Sequence, residues 1–198
     1  MITIDCEQLS PEWYKLRAGV PSASNFDKLI TSKGETSKQR IKYMYTLAGE
    51  SIIGEKEESY QNAAMQRGIE LEAEARGMYD LITGEEVTQV GFCMNDNKEY
   101  GCSPDGLVGE DGLIEIKCPV LSTQVEYLIR KTLPTAYIQQ VQGQLFITGR
   151  KWLDFVSYYP AMNPLIVRVL PDLEFHKKLA IELNLFCAEL KEIITKIQ

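Results

Sequence analysis

Apolar positions along this chain change their period, and the changes divide it into helical and strand-like stretches. Ser10-Pro11-Glu12 places a hydroxyl cap, a proline at the first helical position and an acid behind it, which predicts a helix to about Arg17, stopped at Gly19. Ser22-Ala23-Ser24 opens a short helix through Ile30, and Thr31 to Thr36 reads as a polar loop. Between Ser37 and Ile53, Ile41, Met44, Tyr45, Ala48 and Ile52 recur at helical spacing and predict an amphipathic helix ended by Gly54. Glu55 to Ser59 reads as a charged loop. A longer helix is expected from about Asn62 to Thr83, closed by Gly84. Its stripe is Leu71, Ala75, Met78, Tyr79 and Ile82, with Glu72 at the stripe's border.

Period two then takes over. Glu86 to Met94 reads as a strand, Asn95 to Lys98 as a turn, and Tyr100 to Ser103 and Gly106 to Val108 as strand-like. Glu110-Asp111-Gly112 carries a hairpin signal, and Leu113 to Cys118 is the return strand, ended by Pro119. Ser122 to Lys131 and Thr135 to Thr148 read as helices, and Trp152 to Tyr159 and Leu165 to Leu170 as strands. A closing helix spans Asp172 to Ile197, with the stripe Phe175, Leu179, Leu183, Phe186, Leu190, Ile194 and Ile197. No repeat, low-complexity tract or long linker interrupts this order, so the expectation is one α/β domain over residues 1–198.

Composition narrows the chemistry more than the fold. The chain has 198 residues, 44% of them apolar and 25% charged, which suits a soluble protein with a real core. A net charge of −7 excludes a uniformly basic nucleic-acid coat. The charge is uneven: from Lys15 to Lys42 seven bases stand against two acids, whereas Leu47 to Ile116 holds sixteen acids and four bases. Such runs are usually solvated faces, but a basic groove beside a carboxylate centre fits them too. No apolar run approaches the roughly 18 residues of a membrane span. The start Met1-Ile2-Thr3-Ile4-Asp5 lacks the features of a secretory signal, and five cysteines without a C-x-x-C pair fit a reducing cytoplasm. The single histidine, His176, argues against a His-dependent triad and is expected to be exposed on the last helix. Chemistry therefore rests on carboxylates, lysines, hydroxyls or amides.

One segment gathers these groups: Gly101-Cys102-Ser103-Pro104-Asp105-Gly106-Leu107, followed by Ile114-Glu115-Ile116-Lys117. In the return strand Ile114, Ile116 and Cys118 share one parity and face a core, while Glu115 and Lys117 share the other and project together into a cleft. The hairpin returns Asp105 to Glu115. Two carboxylates and a lysine on one face are what Mg²⁺-dependent phosphodiester hydrolysis needs. A hard cation takes oxygen ligands and stabilises charge at phosphorus, and a lysine positions water or offsets negative charge. An ordinary surface hairpin with Glu–Lys alternation is the competing reading. Tyr137, Gln140 and Gln144 share one face of their helix, with Ile138, Val141 and Leu145 as an apolar face opposite. Trp13, Cys102 and Cys118 read as core residues.

These residues resemble the active-site core of the restriction-endonuclease-like superfamily and, more narrowly, the phage lambda exonuclease family of viral recombinase nucleases. The resemblance runs from about Ser10 to Tyr159 through five ordered motifs. They are Pro11 to Val20 with Ser22-Ala23-Ser24; Gly68 to Glu72 with Ala75-Arg76; Cys102 to Leu107; Glu115 to Pro119; and Tyr137 to Gln142. It implies a restriction-endonuclease-like core with a central mixed sheet flanked by helices. It further implies Asp105, Glu115 and the Ile116 carbonyl as ligands of Mg²⁺, for which Mn²⁺ can substitute. Glu72 would serve a second ion, Lys117 would activate water or stabilise charge, and Gln140 would orient water or the scissile phosphate. Arg17 would hold a 5′-terminal phosphate with Ser22 and Ser24, and Ser103 and Tyr137 are further DNA-binding candidates. Helix capping by the two serines, a solvated Arg17, a turn role for Ser103 and a surface Glu72 beside Arg76 remain the plainer readings.

The family pattern implies an exonuclease that degrades duplex DNA 5′→3′ and leaves a 3′ single strand for a single-strand annealing protein. It also implies a homotrimeric ring with Lys28, Lys33, Lys38, Arg40 and Lys42 facing a DNA channel. Phage or prophage origin in a bacterial cytoplasm goes with it. A restriction-like or repair endonuclease and a non-catalytic DNA-binding scaffold are the alternatives.

Overall fold

The computed structural model describes residues 1–56 and 63–198. The last part of the expected charged loop and the expected start of the long helix at Asn62 lie outside the described residues. Strand β1 (Ile2–Ile4) leads to helix α1 (Pro11–Arg17), whose cap is the expected one: the Ser10 hydroxyl accepts from the Trp13 N–H at 3.2 Å. The next segment is a 3₁₀ helix, Ala23–Lys28, rather than an α-helix. Helices α2 (Arg40–Ile53) and α3 (Ala63–Thr83) follow, each with a left-handed glycine just beyond it, Gly54 and Gly84.

The expected strand from Glu86 to Met94 is two strands, β2 (Val87–Thr88) and β3 (Phe92–Met94), serving different sheets. β3 lies between β1 and β4 (Gly101–Cys102) in a three-stranded sheet. β2 edges a five-stranded sheet in the order β2-β5-β6-β7-β8, where β5 is Gly106–Val108, β6 Gly112–Lys117, β7 Trp152–Ser157 and β8 Leu165–Val169. β6 and β7 are parallel and the other pairs antiparallel. The β5–β6 turn is Gly109-Glu110-Asp111, with Gly109 in the left-handed region at φ +52°. Gly112, expected in the turn, is already in the strand. Helices α4 (Leu121–Arg130) and α5 (Ile138–Thr148, entered through a 3₁₀ turn at Thr135–Tyr137) connect β6 to β7. The closing helix α6 is Leu173–Ile197, capped by the Asp172 carboxylate.

The five-stranded sheet is covered on both faces, as a parallel pair at its centre requires. Ile114 and Ile116 pack with Ala75 and Tyr79 of α3. Leu113 and Phe155 pack with Val141 and Leu145 of α5. A second core joins the 3₁₀ helix, α2 and α6 through Phe26, Met44, Leu47, Leu179, Leu183 and Phe186. Gly143 lets α5 reach that 3₁₀ helix, because a Cβ there would lie 2.5 Å from the Phe26 ring. The mixed α/β layout with helices flanking a mixed sheet is the expected one. The inward face of α2 is not. Ile41, Tyr45 and Ile52 are exposed, while Arg40, Tyr43, Met44, Leu47, Ala48 and Glu50 are buried. Among the described residues no helix is long and apolar enough to cross a membrane.

Candidate active site

Glu115 sits on the central strand facing α5, and it is 1% exposed. It lies inside the protein, not in an open cleft. One carboxylate oxygen, Oε1, accepts from Gln140 Nε2 and pairs with Lys117 Nζ, both at 2.5 Å. The other, Oε2, accepts from Gln144 Nε2 at 2.6 Å. Strand alternation puts Glu115 and Lys117 on one face, and the four-residue spacing puts both amides on one helix face above them. Val141 and Leu145 are not opposite those amides, as expected from spacing, but beside them on the sheet.

Asp105 enters from the β4–β5 connection. Its N–H donates to the Ile114 carbonyl at 3.2 Å, and its Oδ2 accepts from the Ile116 N–H at 2.5 Å. In a strand a residue's C=O points to the same edge as its N–H, so the Ile116 carbonyl lies on the Asp105 side. Burial, then the nearby Glu115 charge, push the Asp105 carboxyl well above the usual carboxylate range, with Lys117 pulling against them. Burial works against the Lys117 ammonium, but Glu115 and Asp105 outweigh it and raise its pKa above that of an ordinary lysine. Its Nζ stands 5.4 Å from the centre of the Tyr137 ring, and that ring packs on Phe155.

Glu72 approaches from α3, paired with Arg76 at 2.5 Å. Burial raises its pKa, Arg76 lowers it and Glu115 raises it further. Among the described residues no three His, Cys, Asp or Glu side chains stand close enough to hold a metal by themselves. The donors present are the buried Glu115 carboxylate, the half-buried Asp105 carboxylate and a backbone carbonyl, all oxygen. That set fits Mg²⁺ and not a soft or imidazole-seeking metal.

The second group of expected residues lies along a separate cavity of about 600 Å³, lined by Arg17, Ser22, Ser24, Lys28, Lys42 and Lys56, among others. Arg17 ends α1, 8% exposed. Its Nη2 donates to Ser22 Oγ at 3.3 Å and Ser24 Oγ at 3.1 Å, so Ser22 serves the guanidinium and makes no side-chain cap to its own helix. The guanidinium carbon lies 3.9 Å from the centre of the Trp13 ring. Among the described residues no carboxylate forms an ion pair with Arg17, its Nε has no partner, and burial lowers its pKa. Lys56 is pulled down to about 8 by burial, then by Arg17; Glu50 opposes this, and Lys28 adds to it.

Short contacts join the two groups. Gly101 N–H donates to the Pro21 carbonyl at 3.0 Å. The Trp13 indole N–H reaches Ser103 Oγ at 2.9 Å and the Gly91 carbonyl at 3.3 Å. Ser103 Oγ is thus an acceptor inside the fold. Asp105 lies four positions beyond Gly101, which bridges to Ser22, a span of at most about 14 Å.

Two expectations need revision, and two residues were missed. Arg40 does not face a channel: it is buried, bonded through Nε to Glu182 and through both terminal nitrogens to Glu189. His176 is half-buried, edge-on to Phe146. Gln144 belongs to the Glu115 centre as directly as Gln140 does, and its i+4 spacing was the available signal. Lys56, just past Gly54, had no sequence signal at all.

The fold and the site together define a mixed α/β protein with a buried carboxylate–lysine centre beside a cationic cavity. Residues 12–151 match the YqaJ-like viral recombinase domain, and the chain belongs to that family. It is 38% identical to the alkaline exonuclease LHK-Exo from Laribacter hongkongensis. The match covers 95% of this chain and 96% of that one, with a TM-score of 0.86, and the same protein has a structure in complex with dAMP. A phage-related exonuclease from Haemophilus somnus 129PT shares the fold at TM-score 0.69, with 15% identity over 90% of this chain and 96% of that one. Among curated proteins none matches significantly.

Proposed function

We propose that this protein is a Mg²⁺-dependent exonuclease that degrades one strand of duplex DNA from its 5′ end in the 5′→3′ direction. The remaining 3′ single strand would serve recombination by strand annealing. The observation that carries the reading is the pairing of two sites. Arg17, buried and without an ion-pair partner among the described residues, bonds Ser22, and the chain that bridges Ser22 at Gly101 reaches Asp105 four positions later, so an anion-binding cavity and a carboxylate–lysine centre lie in neighbouring parts of the fold. Family membership and the likeness to an alkaline exonuclease support DNA hydrolysis from ends. The dAMP bound by that relative has the chemistry of a mononucleotide product.

Asp105, Glu115 and the Ile116 carbonyl would hold Mg²⁺, or Mn²⁺ in its place, with Glu72 available to a second ion. The cation supplies charge stabilisation at phosphorus and an acidified water. Lys117, paired with Glu115, is placed to position the attacking water or to offset negative charge developing on the phosphate. Gln140 stands beside it, placed to orient the scissile phosphate. Arg17, Ser22 and Ser24 take the 5′ phosphate, as a guanidinium fork and hydroxyls do. A homotrimeric ring round the duplex, a single-strand annealing partner and a phage or prophage origin in a bacterial cytoplasm complete the proposal.

The test is digestion of a linear 5′-phosphorylated duplex and a closed circle of the same sequence with Mg²⁺. The linear DNA should release 5′ mononucleotides, the circle should survive, and Asp105→Ala should lose at least roughly 10²–10³ in rate. Cutting of the circle would transfer the reading to an endonuclease. Inertness towards both, with Mg²⁺ and with Mn²⁺, would contradict a nuclease.

A further inference from the structure

We propose that Gln144 is a positioning residue for Glu115, the second arm of a carboxamide clamp whose first arm is Gln140. The proposal rests on Glu115 being a metal-binding carboxylate. The two glutamines stand one turn apart on α5, and each sends its amide N–H to a different oxygen of Glu115, at 2.5 and 2.6 Å. A single donor would leave the carboxylate free to turn about its terminal torsion, which has a broad profile. Donors on both oxygens fix its plane. Gln144 is 1% exposed, so it reaches no substrate and acts only through Glu115.

The cost of keeping an amide at this position is visible. Gln144 Oε1 is buried and has no hydrogen-bond partner among the described residues. An unsatisfied buried acceptor destabilises a fold. Packing alone therefore does not explain Gln144; its N–H does. Lys117 already sets one positive charge against Oε1, and a carboxamide on Oε2 holds the group without adding a second. A carboxylate offers about four lone-pair sites. Gln140, Lys117 and Gln144 occupy three, and capacity for a cation remains. The close seating of α5 at Gly143, the residue before Gln144, holds the clamp at its height above the sheet.

The test compares wild type with Gln144→Met, which keeps length and shape but lacks the N–H. The first readout is Mn²⁺ binding to the DNA-free protein by titration calorimetry. The second is kcat and KM on a 5′-phosphorylated duplex. Mn²⁺ should bind about 10- to 100-fold more weakly, as removal of a partner that orients a ligand typically gives. kcat should fall at fixed Mg²⁺ and KM for DNA should hold. Gln144→Asn, one methylene too short for the 2.6 Å contact, carries the same expectation and covers the case in which Met fails to pack. Equal Mn²⁺ affinity and kcat in both variants and the wild type would overturn the clamp and leave the nuclease reading standing. A wild type that binds no Mn²⁺ and cuts no DNA would overturn both.

Discussion

Arg17 and Arg40 belong to the same basic stretch, and each is 8% exposed, but their surroundings differ in kind. Arg40 is locked between α2 and α6 by Glu182 and Glu189, and those hydrogen bonds raise its pKa against the effect of burial. Arg17 has two serine hydroxyls, an indole face and an open cavity, and burial lowers its pKa. Burying a charge is costly unless it is paired. Arg40 has two carboxylate partners, whereas among the described residues Arg17 forms no ion pair and has its two serines, the Trp13 face and the nearby Glu50 charge, so that an anion from outside would complete its surroundings. Two arginines alike in exposure thus differ in that one carries ion pairs and the other, among the described residues, does not, which is what the proposed phosphate site requires.

The largest effect expected from this contrast is on stability. Arg40→Met should cost about 3–5 kcal/mol, because it strands the buried Glu182 carboxylate. Adding Glu182→Met should recover much of the loss. Urea denaturation of the two variants measures this, and the folded fraction should keep its preference among DNA ends. A single-variant cost below about 1 kcal/mol would place Arg40 in the same category as Arg17. A smaller effect concerns pH in the cavity. Lys56, lowered to about 8, is largely charged at pH 7 and largely neutral at pH 9. The terminal phosphate is fully ionised across that range, its second pKa being about 6. The preference for a 5′-phosphorylated over a 5′-hydroxyl duplex should therefore shrink about five-fold between those pH values, roughly 1 kcal/mol for one charge in near-aqueous surroundings. Lys56→Gln should make the ratio flat with pH. The smallest effect is at His176, half-buried and without an ion pair among the described residues. Unlike arginine it can shed its proton, and burial lowers its pKa despite the Gln142 backbone bond and Asp172. Below about pH 6.5 the unfolded chain takes up a proton that the folded one resists, so stability falls as pH drops through that value. His176→Phe should remove a few tenths of a kcal/mol of that acid-side loss, read from urea midpoints at pH 7.5 and 5.5.

Much of this was legible from residues alone, where local rules decide. Ser10 capping α1, the alternation that sets Glu115 and Lys117 on one face, and the four-residue step between Gln140 and Gln144 follow from backbone geometry. Where tertiary contacts decide, the pattern misled. The apolar set of α2 pointed to Ile41, Tyr45 and Ile52, yet the helix turns Arg40, Tyr43 and Leu47 inward because Glu182 and the α6 core lie there. The stretch from Glu86 to Met94 alternates like one strand, but its two ends pair with different partners, β5 and β1, a choice made far away in sequence. Glu115 looked like a cleft residue because parity names a face without saying what covers it, and α5 covers it. Nor does any local signal tell Arg17 from Arg40, since the distinction rests on acids nearly 150 residues away.

The most direct measurement of the central claim, that Arg17 is kept unpaired to receive a 5′-terminal phosphate, is the digestion rate of 5′-phosphorylated and 5′-hydroxyl duplexes by wild type and Arg17→Ala. Wild type should prefer the phosphorylated end. The variant should lose most of that preference, about one to two decades of rate for a charge-assisted contact of roughly 1.5–3 kcal/mol, while its folding stability changes little. Wild-type indifference to the 5′ group, or an Arg17→Ala variant slowed equally on both ends, would contradict the claim.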